Sequence, residues 1–351
     1  MTGETRTHIV AAGEAELRLD RWFKRHFPAL SHGRLEKLLR TGQVRVDGRR
    51  AKAGLRLAEG QTVRVPPLFE GNQPGEVARP RATSAPALSD KDARFAQGLV
   101  IYRDEDVIAV NKPPGLAVQG GSRTARHLDG LLDALRFGAS ERPRLVHRLD
   151  KDTSGVLLLG RSAHAAARLA EAFREKTTRK IYWAITVGVP RPLRGKIDWP
   201  VSKRPGRPGP PSRASRKEAV QRAADEHMVL DAEEGKRAVT YYSVVEHMGR
   251  KAAWVALWPV TGRTHQLRVH LAALGTPILG DGKYGGSGGF LAGEAHAKKL
   301  HLHARAIAVP HPRTGRPITV AAPLPEHMRT TWRFFGFDPE SVEDPFAALE
   351  P

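Results

Sequence analysis

Not one of the 351 residues is a cysteine. Disulfides, thiolate nucleophiles and cysteine-ligated zinc are thereby excluded, and a reducing cytoplasm is the expected setting. Aromatic residues make up only 6% of the chain, too few for a broad surface on which several bases stack. No apolar run approaches the ~18 residues that a membrane helix needs. The stretch Met1 to Val10 is polar and lacks the apolar core of a secretory signal. Neither a membrane partner nor export is expected. Acid is scarce as well: Asp+Glu number 37 against Lys+Arg 57, a formal net charge of +20. So basic a chain suits a polyanion, most often a nucleic acid, with an anionic membrane surface as the competing reading. The motifs GxxxxGK[ST], GxGxxG and GxSxG are all missing, which removes the usual support for ATP, dinucleotide and serine-hydrolase chemistry. His265 and His270 are five apart rather than four, and His301 and His303 have no third ligand at sensible spacing. No metal and no cofactor is expected.

What is present falls into an order. Over 14–66, Leu17, Leu19, Trp22, Phe23 and Phe27 give a first helix an apolar stripe, and Pro28 stops it. Leu35, Leu38 and Leu39 form the buried face of a second helix, which Gly42 ends. Its other face carries Arg34, Lys37 and Arg40. Val44-Arg45-Val46 and Thr62 to Val65 alternate like strands, with Asp47-Gly48 as a turn. A solvated helix pair and a grip on phosphates both account for this basic face. Residues 67–95, broken by Pro67, Pro74, Pro80 and Pro86, read as a linker. From 96 to 335, strand patterns outnumber long helices and do not alternate regularly with them. That predicts an α+β domain built on a mixed, mostly antiparallel sheet. Helices are expected over 127–137 and 163–176. Another would be capped by Thr264, with Leu267 and Leu271 inward and Arg268 on their flank. The stretch 203–217, with six cations and no acid, reads as a basic disordered insertion. A loop insertion over 285–299 and an acidic, loosely held tail over 336–351 complete the layout.

One stretch stands apart. Leu145-Val146 leads into, and Val156 to Leu159 leads out of, the polar insert His147-Arg148-Leu149-Asp150-Lys151-Asp152-Thr153-Ser154-Gly155. The outgoing run reads as a buried strand. A plain turn would use glycine, asparagine or proline. Carboxylates held beside apolar strands are costly unless cations meet them. A salt-bridged turn and a catalytic carboxylate both fit this pattern.

His147 to Gly155 resembles the signature of the RluA-type RNA pseudouridine synthases. In chain order, Asn111-Lys112-Pro113-Pro114-Gly115 resembles the family's early cleft loop, and Lys180-Ile181-Tyr182-Trp183-Ala184 its tyrosine strand. Thr261-Gly262-Arg263-Thr264-His265-Gln266-Leu267-Arg268-Val269-His270, with Gly280-Asp281 and Tyr284-Gly285, resembles its third motif. The run from Ser31 to Gly48 resembles the alpha-L module shared by a small-subunit ribosomal protein and many RNA-modifying enzymes. The likeness is greatest to the RluC and RluD branch, which modifies large-subunit ribosomal RNA. It implies an isomerase of the pseudouridine synthase fold, acting on specific uridines of RNA; a cytoplasmic protein is expected, with monomer as the default state. It also implies Asp150 as the catalytic carboxylate, Arg268 as its ion-pair partner and Tyr182 as the ring that stacks on uracil. Arg148 would enter the gap left by a flipped nucleotide, with Ile181 and Leu267 as wall residues. His147, Arg263, Asn111 and Lys112 would meet RNA near the cleft, and Arg34, Lys37, Arg40 and Arg45 would meet it on the small module. A non-catalytic RNA-binding or ribosome-assembly factor on the same scaffold is the alternative.

Overall fold

A computed structural model of the protein describes residues 5–67, 88–120, 126–203, 227–291, 298–340, 344–347 and 349. The chain divides into two compact units, Met1–Ser84 and Ala85–Pro351.

In the first unit, helices α1 (Leu19–His26) and α2 (His32–Arg40) pack on four strands. These are β1 (Arg6–Ile9), β2 (Arg45–Val46), β3 (Arg49–Arg50) and β4 (Thr62–Val65), in the order β1-β4-β2-β3. Leu19, Trp22 and Phe23 meet Leu35, Leu39, Val44, Val46, Val63 and Val65 in one core. Those are the faces that helical and strand periods bring inward. β1 precedes residue 14 and pairs with β4, so the sheet begins before the basic module read from sequence. Buried Glu14 accepts from Trp22 Nε1 at 3.0 Å and lies 2.6 Å from His26 Nε2.

The second unit starts with α3 (Asp90–Gly98), so the end of the expected linker is helical. Most of that linker lies outside the described residues, as does 203–217 beyond Lys203. Then come β5 (Val100–Arg103), β6 (Val107–Lys112), α4 (Leu128–Leu131), β7 (Arg144–Leu145), β8 (Ser154–Gly160), α5 (Ala163–Glu175) and β9 (Arg179–Val187). β10 (Arg194–Asp198), β11 (Val201–Lys203), β12 (Met228–Leu230), β13 (Val239–Met248), β14 (Ala252–Pro259) and α6 (Gln266–Ala273) follow. The unit ends with β15 (Leu302–Pro310), β16 (Pro317–Ala321) and α7 (Glu326–Phe335). Ten strands form one sheet along β10-β13-β14-β9-β15-β8-β6-β5, with β16 on β15 and β7 on β8; β11 and β12 pair apart. β8 with β15 is its parallel pair among the described strands; the rest are antiparallel. The sheet is mixed and mostly antiparallel, as α+β patterning predicts.

Aromatic residues are scarce, and the core takes most of the large ones. Trp183, Trp254, Trp258 and Trp332 share a cluster with Met328, Phe337 and Phe346. Such rings each bury roughly 150–250 Å² and dominate packing energy. The tail is therefore not loosely held where it is described: Phe337 and Phe346 are buried in that cluster, and Asp344 pairs with Arg179 at 2.9 Å. The acids of the tail conceal these two anchors in the composition. Of the loop insertion over 285–299, Gly286–Gly289 form a 3-10 turn, and 292–297 lie outside the described residues.

The parallel contact is a close one. Ser154 and Gly155 sit opposite His303 and Ala304. Gly155 has φ +112°, and a Cβ there would run into the backbone of Ala304. Ser154 Oγ lies 2.9 Å from His303 Nδ1, and His303 Nε2 lies 3.1 Å from the Ala322 carbonyl oxygen. Burial pushes the His303 pKa down to about 4, so the ring is neutral, with Nε2–H donating and Nδ1 accepting the serine proton. Gly155→Ala is expected to cost about 3 kcal/mol or more, because both the strand spacing and the φ resist it. Urea unfolding of the full chain measures this, and an unchanged midpoint would show that β15 yields freely.

Candidate active site

Asp150 lies in the connection from β7 to β8, four residues before a strand that is buried along its whole length. Its side chain keeps 25% exposure. Beneath it lies Lys112, at the end of β6 and fully buried. The Lys112 ammonium donates to the carbonyls of Pro113 at 3.0 Å, Leu116 at 2.9 Å and Lys151 at 3.0 Å. Burial lowers its pKa to about 8, against the pull of the Asp152 and Asp150 charges. At neutral pH it is still mainly a cation. Lys112 thus sews the cleft loop to the aspartate turn and cannot reach RNA, contrary to the sequence expectation. Neighbouring Asn111 donates its amide to the Pro323 carbonyl at 3.1 Å and lines neither cavity described below. Lys151 and Asp152 are exposed and form no ion pair with each other.

Two cavities meet at Asp150. The first, about 470 Å³, is lined by Arg148, Arg174, Lys176, Lys180, Arg263 and Arg268, with Asp150 as its carboxylate. Tyr182, Leu267 and His147 complete its wall. The second, about 870 Å³, takes Lys151, Asp152, Lys283, Lys298 and Lys299. Arg148, Asp150, His265 and Arg268 line both.

Tyr182 reaches this space from β9, where it sits opposite Leu257 of β14 and Ala304 of β15. Burial and the Asp150 charge push its hydroxyl pKa well above the usual tyrosine value, so it is a proton donor and not a base. Ile181 points to the other side of β9 and packs on the tryptophan cluster. Strand alternation forbids adjacent residues the same wall, so Ile181 is not a wall residue of this site. Leu267 is, and it is buried. His147 lines the cavity with its ring stacked on Phe173 at 4.4 Å, and Nε2 accepts the Leu158 N–H at 2.9 Å. Burial, then Lys180, lowers its pKa to about 3. A neutral ring with that nitrogen already taken offers no cation to a phosphate.

Arg268 carries the main correction. Its Nε and Nη2 donate to Asp281 at 2.8 and 2.6 Å in a buried bidentate pair. Burial lowers the Arg268 pKa, and Asp281, then Asp150 and Tyr284, more than restore it. Asp150 therefore acts on Arg268 through space, and the fork belongs to Asp281. Asp281 also accepts N–H groups from Lys283 at 3.1 Å and Tyr284 at 3.2 Å. Gly280, at φ +81°, leaves no room for a Cβ against Lys299, which explains the Gly280-Asp281 pair. α6 starts one residue later than read, with His265 rather than Thr264 at its N-cap.

Sequence reasoning quoted Asp281, His265, Tyr284 and Lys180 within motifs and gave none of them a task. Lys180 is half-buried in the wall, 6.0 Å from the Phe173 ring centre, and burial lowers its pKa. Arg148 is exposed; Arg263 is exposed and donates to the Arg237 carbonyl at 3.2 Å. In the first unit, Arg34, Lys37 and Arg40 are exposed, whereas half-buried Arg45 donates to the Gly42 and Gly48 carbonyls and clamps its own turn.

Among the described residues, Asp104, Asp106 and His311 bring three possible metal ligands together, outside both cavities. They are already engaged. Asp104 accepts two backbone N–H groups, and Arg313 Nε pairs with Asp106 at 2.8 Å. His311 Nδ1 accepts from Arg313 and Thr314, which puts the ring proton on Nε2, 3.2 Å from Asp104. The group reads as a clasp between two hairpins.

Among known proteins, residues 106–273 match the RNA pseudouridylate synthase family and residues 17–63 match the S4 domain. The chain is 36% identical over 314 residues to ribosomal large subunit pseudouridine synthase C of Rickettsia typhi, covering 88% of this chain and 94% of that one. It is 32% identical to the protein of the same name from Salmonella typhi, over 91% of this chain and 93% of that one. Human RNA pseudouridylate synthase domain containing 4 has a similar structure, with TM-score 0.55 and 29% identity, covering 70% of this chain and 97% of that one. No described helix is long and apolar enough to cross a membrane. A cation-lined cleft around one carboxylate, the matched motifs and this likeness over nearly the whole chain agree: the protein belongs to the RNA pseudouridylate synthase family, with an S4 domain at its N-terminal side.

Proposed function

We propose that this protein converts uridine to pseudouridine in large-subunit ribosomal RNA, as a cytoplasmic monomer, with Asp150 as its catalytic residue. The observation that carries the reading is Asp150 at the junction of two cation-lined cavities, facing Tyr182 and Arg268. The ribosomal target comes from the names of the relatives above.

The reaction is internal to one nucleotide. The N1–C1′ bond breaks, the base turns, C5 bonds to C1′, and C5 gives up a proton while N1 gains one. Two routes use a single carboxylate: addition to C1′, or removal and return of the C2′ proton. Both need Asp150 ionised while water is shut out. Lys112 and Arg268 are the cations on which the Asp150 charge acts. A uridine held in an RNA fold must swing out to reach this point, and exposed Arg148, shared by both cavities, is placed to fill the space it leaves. Tyr182 offers the uracil a ring and a donor. The exposed cations of α2 hold the phosphate backbone.

The decisive test is carbodiimide mapping of pseudouridine in ribosomal RNA from cells with and without the protein. Asp150→Asn keeps the shape and removes the charge; it is expected to restore no site that the wild type restores. Full restoration sinks the assignment. Asp281→Asn leaves Arg268 buried beside a neutral partner, with an expected loss of about 3 kcal/mol in urea unfolding and a slower rate. Replacing Arg34, Lys37 and Arg40 together by alanine is expected to flatten the slope of log affinity against log salt by roughly 2. An unchanged slope would assign those residues to solvent.

A further inference from the structure

The helix that carries Arg268 begins on a strained residue. His265 occupies its N-cap at φ 52° and ψ 17°, in the left-handed region, and its side chain caps no backbone N–H. Glycine or asparagine enters that region more readily than histidine. Residues held in this region cluster at functional sites, and Glu16, Asp47, Phe137 and Lys176 share the positive φ elsewhere in the chain. His265 Nδ1 lies 2.6 Å from the Tyr284 hydroxyl, and the two rings meet edge-on at 5.5 Å. The Tyr284 oxygen already accepts the Met228 N–H at 3.1 Å, so its own proton points to Nδ1. A neutral imidazole that accepts at Nδ1 carries its proton on Nε2. Nε2 lies 3.9 Å from Asp150 Oδ2.

We propose that His265 is a positioning residue of the isomerisation: its Nε2–H holds the Asp150 carboxylate in the orientation that meets the ribose, and Tyr284 fixes its ring and tautomer. The inference rests on the reading of Asp150 given above. At 3.9 Å the contact is longer than a hydrogen bond. It closes when substrate fills the cavities, as catalytic hydrogen bonds that are long in the free enzyme do. Arg268 forms its bidentate pair with Asp281 instead, through Nε and Nη2. The Tyr284 ring also lies against Arg268, 5.0 Å from its guanidinium carbon, so one residue steadies both groups beside Asp150.

Three variants of the full chain separate this role from a backbone one. His265→Asn suits the left-handed turn and removes Nε2. His265→Gln places an amide nitrogen near the position of Nε2. Tyr284→Phe keeps the ring on Arg268 and removes the hydroxyl. Single-turnover pseudouridine formation is measured at saturating RNA, beside RNA affinity and the urea midpoint. His265→Asn is expected to slow the reaction roughly 100-fold, with affinity and midpoint close to wild type. His265→Gln should recover much of that rate, and Tyr284→Phe should fall between them. A wild-type rate in His265→Asn overturns the proposal, and so does a loss of RNA affinity that accounts for the whole effect. If His265→Asn unfolds, Tyr284→Phe decides: a wild-type rate there overturns it as well. Wild-type protein that makes no pseudouridine would instead overturn the functional reading on which it rests.

Discussion

A negative charge must be kept at the head of an apolar strand. Everything around Asp150 follows from that demand. β8 is buried throughout, and the strands beside it contribute Ile108, Val110 and Ala304 to the same core. A carboxylate held beside apolar strands is costly unless cations meet it. Lys112 meets the demand from below, and its bonds to three carbonyls give it a second task. One of those carbonyls belongs to Lys151, on the aspartate turn itself. The cation on which the Asp150 charge acts is therefore also the group that fixes the path of the chain carrying it. Fold and electrostatics here are a single construction.

Arg268 shows why the field is supplied at a distance. A bidentate pair with Asp150 would hold it strongly charged, yet would cover both oxygens that the ribose must meet. Committing the fork to Asp281 avoids this. The guanidinium keeps its charge, stays in the cavity wall and leaves the Asp150 carboxylate uncovered. Asp281 is in turn held by two N–H groups of its own loop, where the Lys299 backbone comes so close that only a glycine fits at 280. The motif glycines and the arginine are linked through this one buried carboxylate.

How much of this was legible in the sequence depends on the range of the interaction. Period alone placed Trp22, Leu35 and Leu39 inward, and the polar insert between two apolar runs marked Asp150. Alternation also put Tyr182 and Ile181 on opposite faces, so the pattern itself argued against Ile181 as a wall. The family resemblance singled out Arg268, but no local pattern names its partner, because Asp281 comes from the loop after α6. Lys112 reads as one more cation in a basic chain; only the three carbonyls that converge on it make it structural. Phe337 and Phe346 sit among acids and look solvated until the tryptophan cluster they cover is in view.

The charge of +20 then divides into parts with different consequences. Exposed cations on α2 are the ones proposed to neutralise phosphates, and such contacts carry no sequence information. They raise affinity for any RNA alike. In the proposed reaction, selection among uridines can arise where the base leaves its stack, beside Arg148 and the two cavities, because the cost of extracting a nucleotide depends on its pairing. Cations at that rim carry a second burden. In the proposed reaction each one that draws RNA inward also acts on the Asp150 carboxylate, and a carboxylate paired too tightly is a poor base and a poor nucleophile. Arg268 is tied to Asp281 and His147 in the same wall is kept neutral by burial, so neither closes an ion pair over the group proposed to react.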